Sequence, residues 1–234
     1  MQFQDYSVEG VLRDGSPVRI RALRPEDRDQ LREGFQRLSG QSVYQRFFRV
    51  KRDLSEWELS YLTNLDFRNH VALVAAVKGA AGWEPAGVAR LVRLGPQGDV
   101  TKGEAAFTVL DAHQGRGIGP QLMVHLARIA SALGYTTLEA EVLPDNRPML
   151  TVFAHSGLPI REQVRDGIVH VELTLPRRQE ASSPMGSALR AGGLGQRRRI
   201  VASASGRVRT RRRSSSAGAR SEPWWLRLCA RGFS

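Results

Sequence analysis

The 234-residue sequence predicts a mixed α/β fold, a central sheet with helices covering both faces, followed by a disordered basic tail. Three observations predict it. Segments of period two and period 3.6 alternate as strand, helices, three strands, helix, strand, helix and strands, with no internal repeat. Charge divides abruptly: residues 1–176 hold 21 Arg and Lys against 21 Asp and Glu, whereas 177–234 hold 14 Arg and two acids, Glu180 and Glu222. Apolar content falls away beyond Pro176 until "WWLRLC" (224–229). The domain boundaries follow: an N-terminal extension at 1–16, a folded domain at 17–176 and the Arg-rich tail at 177–234.

Each element has its own signal. "PVRIRAL" (17–23) alternates as a strand. Pro25, Glu26 and Asp27 open a helix reaching about Leu38, since proline suits a first turn and acids suit the positive end of the dipole. "SVYQRFF" (42–48) is a second helical piece after Ser39-Gly40. Ser55 and Glu58 form a capping box for a third, through about Asn64. "VALVAAV" (71–77) is a buried strand, "GWEP" (82–85) a turn, "GVARLVRL" (87–94) a strand and 95–103 a loop. "EAAFTVL" (104–110) is the next strand. Leu122, Leu126, Ile129 and Leu133 then form a helical stripe that ends at Gly134. A strand at 137–143, a short helix at about 147–155 and a hairpin around Asp166-Gly167 complete the order.

The charge division confines the basic excess to the tail, so the pI says nothing about the domain. Fourteen arginines there would hold phosphate backbones or anionic lipid, with Trp224, Trp225, Leu226 and Leu228 adding stacking or interfacial insertion. The alternative is a solvated extension without a partner. Cys229 is the single cysteine, which excludes an intrachain disulfide and fits a reducing, cytoplasmic setting. No signal-peptide pattern or membrane-length apolar run is present.

"QGRGIG" (114–119) joins the 104–110 strand to the following helix. Glycine is entropically costly, and bare backbone before a helix N-terminus suits an approaching anion, above all a pyrophosphate. A Walker A loop fails because no Lys follows. A dinucleotide fingerprint is disfavoured because its third glycine would fall on Pro120, although Glu139 imitates the ribose acid. A tight turn without ligand is the remaining alternative. The histidines (70, 113, 125, 155 and 170) show no metal-site spacing, and "AHSGL" is not a nucleophile elbow.

Gln114-Gly115-Arg116-Gly117-Ile118-Gly119 resembles the Q/R-x-x-G-x-G/A signature of the GNAT N-acetyltransferase superfamily. "RPEDRDQ", "SGQSVYQRFF", "EAAFTV" and "DNRPM" (145–149) extend the similarity, in order, to the bacterial Pat-type protein lysine acetyltransferases. The resemblance implies a GNAT-like, mixed but mostly antiparallel sheet, and acetyl-CoA as co-substrate. It implies that residues 114–119 hold the pyrophosphate. It also implies that the main chain of Phe107, Thr108 and Val109 lies along the pantetheine arm, with the oxyanion donor near Val109. Asn146 would contact the coenzyme, or serve as an ordinary N-cap, and the two roles are compatible. Arg116 is either a phosphate contact or a solvated charge.

The resemblance makes Glu104 the general base, where residue type alone leaves a solvated strand-start carboxylate open. Period two puts Glu104, Ala106, Thr108 and Leu110 on one face. Many GNAT enzymes carry a tyrosine seven residues after the Asn, as acid for the departing thiolate. Phe153 stands there, so the acid is unassigned. The implied reaction is direct transfer of acetyl to an amine in a ternary complex, without metal. The acceptor is a protein lysine, with a small amine and a non-catalytic acyl-CoA sensor as alternatives. The length leaves no room for a cyclic-nucleotide or acyl-CoA synthetase module.

Overall fold

The computed structural model describes residues 3–94 and 101–176. The arginine-rich tail and most of the 95–103 loop lie outside the described residues. Eight strands form one sheet in the order β1-β2-β3-β4-β5-β6-β8-β7. They are β1 (Ser7–Val11), β2 (Pro17–Ala22), β3 (His70–Gly79), β4 (Gly82–Leu94), β5 (Lys102–Val109), β6 (Thr137–Val142), β7 (Ile160–Arg165) and β8 (Ile168–Thr174). Every neighbouring pair is antiparallel except β5 with β6. The expected mixed, mostly antiparallel sheet is therefore present.

Strand alternation sends successive side chains to opposite faces. Leu73, Ala75, Ala89, Leu91 and Ala105 join the main core under Leu122, Met123, Leu126 and Ile129 of α4 (Ile118–Ala132) and Phe153 of α5 (Arg147–Ala154). Val74, Val88, Ala106 and Thr108 face the other way, toward α1 (Arg28–Gln36) and α2 (Gly40–Phe47). A second cluster, Phe35, Val43, Leu54 and Leu59, ties those helices to α3 (Glu56–Thr63). Two apolar layers thus clamp one sheet.

Several boundaries differ from the sequence expectation. The segment read as an extension contributes β1, whose residues are all exposed, so no apolar alternation signals it. Its register comes from pairing with β2, reinforced by a Glu9–Arg19 ion pair at 2.6 Å. The first expected helix begins as a separate 3-10 turn at Pro25–Asp27. There Asp27 accepts from Arg24 N–H at 2.8 Å and from both Arg21 terminal nitrogens at 2.7 Å. Ser39-Gly40 starts α2 rather than merely ending α1, because Ser39 Oγ caps Ser42 N–H. The β3–β4 turn falls at residues 80 and 81, and 82–85 belong to β4. The Ser55–Glu58 capping box and the Asp166-Gly167 hairpin turn are as expected.

Candidate functional site

The site begins where β5 and β6 part. They pair in parallel only through Lys102–Thr137, Gly103–Leu138 and Glu104–Glu139. Beyond Glu104, β5 stays with β4 while β6 stays with β8. Leu110 N–H donates to Ala86 O of the β4 segment at 2.9 Å. Alternation of the backbone therefore turns the N–H and C=O groups of Phe107 and Val109 the other way, into the gap. In an otherwise paired sheet, these groups are left to bond side chains or a ligand. Val109 O accepts there from Gln114 Nε2 at 3.2 Å.

The three glycines after β5 serve two different needs. Gly115 and Gly117 have φ of 74° and 95°, the left-handed region where a side chain is strained. Gly119 has ordinary helical backbone, but a Cβ would stand 3.2 Å from Val152 Cγ2, so its bareness lets α4 approach α5. Gly117 is the N-cap of α4 and offers no side-chain cap. The N–H groups of Ile118 and Gly119 donate to no backbone acceptor among the described residues. Pro120, third in the helix, has no N–H to satisfy. This end of α4 presents donors and partial positive charge.

A cleft of about 460 Å³ collects these features, within the range of small-ligand sites. Of the residues picked out in the sequence, it is lined by Phe107, Thr108, Val109, Gln114, Gly115, Gly117, Ile118, Gly119 and Asn146. Asn146 also caps α5, its side chain accepting from Met149 N–H at 3.2 Å, so both readings of this residue coexist. Arg116 is turned away. Its guanidinium donates to Asp14 Oδ2 at 2.6 Å, Ser16 Oγ at 2.8 Å and His113 Nδ1 at 2.9 Å, and it does not line the cleft.

Residues outside the expected set join the wall, among them Arg13 from the β1–β2 turn, Ser42, Gln45 and Arg46 from α2, Met149 and Val152 from α5 and His155 just after it. Asp111 fastens α2 to the start of the glycine loop. It accepts from Ser39 N–H and Ser39 Oγ at 2.9 Å and from Ser42 Oγ at 2.8 Å. Burial pushes this carboxyl upward, but those hydrogen bonds outweigh it and hold it below the usual range. The sequence signal for Arg46 was a cation inside the apolar "SVYQRFF" helix. Arg13 had none, because the strand before its turn was not legible.

Glu104 is buried, 7 % exposed, at the fork of β5 and β6, and lines neither the cleft nor the small cavity of about 90 Å³ beneath α1 and α2. Its charge acts on Arg46, which borders both spaces. Burial lowers the Arg46 pKa, and Glu104 opposes that. Arg90 and His70 lie on the same face. Arg90 Nη1 donates to His70 Nε2 at 2.5 Å and Nη2 donates to Leu62 O at 3.0 Å. Burial, then the neighbouring Arg46 charge, brings Arg90 down to about 9. Burial, then the Arg90 charge, brings His70 to about 3. Tyr61 stacks within 4.7 Å of the His70 ring, and burial pushes its phenol up. Phe153 is 1 % exposed and packs edge-on against Phe107 at 5.7 Å, and no tyrosine lines the cleft. No metal-holding cluster occurs among the described residues.

An extended ligand ending in a diphosphate fits this arrangement. Its phosphates would meet the Ile118 and Gly119 amides, and an amide-bearing arm would run along the open edge of β5. The acetyltransferase (GNAT) family model matches residues 38–158. The chain is 34 % identical over 166 residues to acetyltransferase Pat of Mycolicibacterium smegmatis, covering 70 % of this chain and 48 % of that protein. It therefore spans about half the length of that relative. It is 32 % identical over 145 residues to acetyltransferase PA5475 of Pseudomonas aeruginosa, covering 62 % of this chain and 76 % of that protein. The crystal structure of the GNAT domain of S. lividans PAT superimposes with a TM-score of 0.66 at 34 % identity, covering 72 % of this chain and 97 % of that domain. With the glycine loop, the forked sheet and these likenesses together, the chain belongs to the GNAT acetyltransferase family.

Proposed function

We propose that the protein transfers acetyl from acetyl-CoA to a primary amine, a protein lysine in the first place, by direct attack with Glu104 as general base. The observation that carries the reading is the forked edge of β5. It leaves Val109 and the uncapped start of α4 on the cleft, with the buried Glu104 carboxylate at the fork of the same strand and its charge felt by the cleft-lining Arg46. The lysine acceptor rests on the Pat-type resemblance.

The chemistry sets the demands. A lysine with a pKa near 10.4 is about three units, or roughly 4 kcal/mol, from its reactive neutral form at pH 7.4. Glu104 takes the ammonium proton, directly or through water. The amine nitrogen then bonds the acetyl carbon as the carbon–sulfur bond breaks, the sulfur leaves as the coenzyme A thiolate, the nitrogen gives its second proton to water to form the amide, and Glu104 returns its proton to solvent. The Val109 N–H stabilises the developing oxyanion. Arg46, which lines the cleft and feels the Glu104 charge, disfavours a second cation there, which favours a neutral amine. Phe153 cannot supply the leaving thiolate with a proton. A thiolate of pKa near 8.5, by analogy with cysteine, departs without one. A reducing cytoplasm, as the single cysteine suggests, is the compartment that fits.

The test is Glu104→Gln, assayed by thiol release from acetyl-CoA against lysine-bearing proteins and small amines, with mass spectrometry of the product. Turnover is expected to fall by about 10²–10⁴-fold while the acetyl-CoA Kd stays within about twofold. Thermal denaturation checks that the variant is folded, because the change removes a charge facing Arg46. Full activity in the variant would exclude Glu104 as base. Absence of turnover in the wild type with every acceptor would exclude the enzyme reading.

A further inference from the structure

Arg116, the basic residue of the glycine loop, is spent on Asp14, Ser16 and His113, all outside the cleft lining. Two arginines line the cleft, Arg13 and Arg46, and no carboxylate does. Arg46 sits beneath the sheet's α2 side in the field of Glu104. Arg13 sits at the opposite end, at the glycine loop. A Cβ on Gly117 would lie 3.3 Å from Arg13 Cγ and 3.5 Å from its Nε. The Arg13 N–H donates to Arg116 O at 3.3 Å, so the two chain segments are stitched together there. Its guanidinium forms no ion pair with the described residues.

We infer that Arg13, from the β1–β2 turn, is the cation that grips the diphosphate of the coenzyme, in the place the loop's own Arg116 has left. The inference rests on the acetyl-CoA reading above. The Arg116–Asp14 pair is then a positioning device. It pins the turn, at residues 14 and 16, against the loop and so holds the neighbouring Arg13 over the N-cap of α4. A planar guanidinium matches phosphate oxygens bidentately, and the adjoining Ile118 and Gly119 amides supply the remaining donors. The Gly117 position has to be bare for two reasons, its left-handed φ and the Arg13 stem packed over it.

The experiment is calorimetric titration of the full-length protein with coenzyme A and with dephospho-coenzyme A, which keeps the diphosphate but lacks the 3′-phosphate. Arg13→Gln is expected to raise Kd about tenfold for both ligands at low salt, as loss of one charge-assisted contact does. The gap should narrow in 1 M salt, where an exposed pair is screened. Arg13→Lys should recover part of the loss, and Arg68→Gln, an exposed arginine away from the cleft, should change nothing. A wild type that binds while Arg13→Gln stays within about twofold of it overturns the inference alone. So does a loss seen with coenzyme A but not with the dephospho form, which would move the contact to the 3′-phosphate. A wild type that binds neither ligand overturns the acetyl-CoA reading as well.

Discussion

His70 shows how burial converts an ordinary side chain into a stability switch. Its Nε2 accepts from Arg90, so the ring has to be neutral, and burial together with that guanidinium holds it at about 3. The value lies below the unfolded 6.5. The neutral ring therefore contributes its full stability above pH 6.5, and the contribution drains away as pH falls toward 3, because only the unfolded chain takes up the proton. Each pH unit in that window costs about 1.4 kcal/mol. Urea unfolding at pH 7 and pH 5 should show this loss in the wild type. In His70→Gln, which retains an acceptor for Arg90, the difference between the two pH values should shrink. Asp27 and Asp66 carry lowered pKa values and act at lower pH. The window above 5 therefore belongs to the histidines. An unchanged slope in the variant would mean that His70 is protonated in the folded protein.

At the scale of elements, the cleft is an assembly of four elements. One face of α2 from Ser42 to Arg46, the end of β5, the start of α4 and one face of α5 all meet there. Asp111 is the joint between two of them, through Ser39 and Ser42. Asp111→Ala should cost about 1–2 kcal/mol in urea unfolding, the range for removing charged hydrogen bonds at a mostly solvated site. It should also raise the acetyl-CoA KM, because Gln114 Nε2, which lies 3.3 Å from Ser42 Oγ and 3.2 Å from Val109 O, loses its fixed neighbour. Steady-state kinetics would show a KM effect with kcat nearly preserved. A fall in kcat alone would place Asp111 in the chemical step instead.

At the scale of the molecule, the sheet separates two jobs. The α4 and α5 face holds the continuous core, and the α1–α3 face holds the buried charges Glu104 and Arg90 and the half-buried Arg46, together with His70 and Tyr61. The last described residue is tied down, with Ser131 Oγ donating to Pro176 O at 2.6 Å. Removing 177–234 should therefore leave turnover and coenzyme affinity within about twofold, because the described residues that line the cleft all lie between Arg13 and His155. Any salt-sensitive affinity for duplex DNA, measured by fluorescence anisotropy, should vanish with the tail's fourteen arginines. A large loss of coenzyme binding in the truncated protein would show that the tail belongs to the site.

What the amino-acid order determined unaided was whatever depends on neighbours along the chain. The apolar run of β3, the stripe of α4, the Ser55–Glu58 cap and the Asp166-Gly167 turn were all legible, because periodicity and capping act over a few residues. So was the glycine loop, though as one anion-binding motif rather than two left-handed backbones and one close helix crossing. Strand β1 was illegible, because all its side chains are exposed and only pairing with β2 defines it. Tertiary structure alone decided which arginine reaches the cleft. Arg116 carries the motif position, yet Asp14, 102 residues away in the chain, draws it aside, while Arg13 arrives on the same turn. Ion pairs and strand forks depend on separation in space, and nothing in local spacing encodes a partner a hundred residues distant.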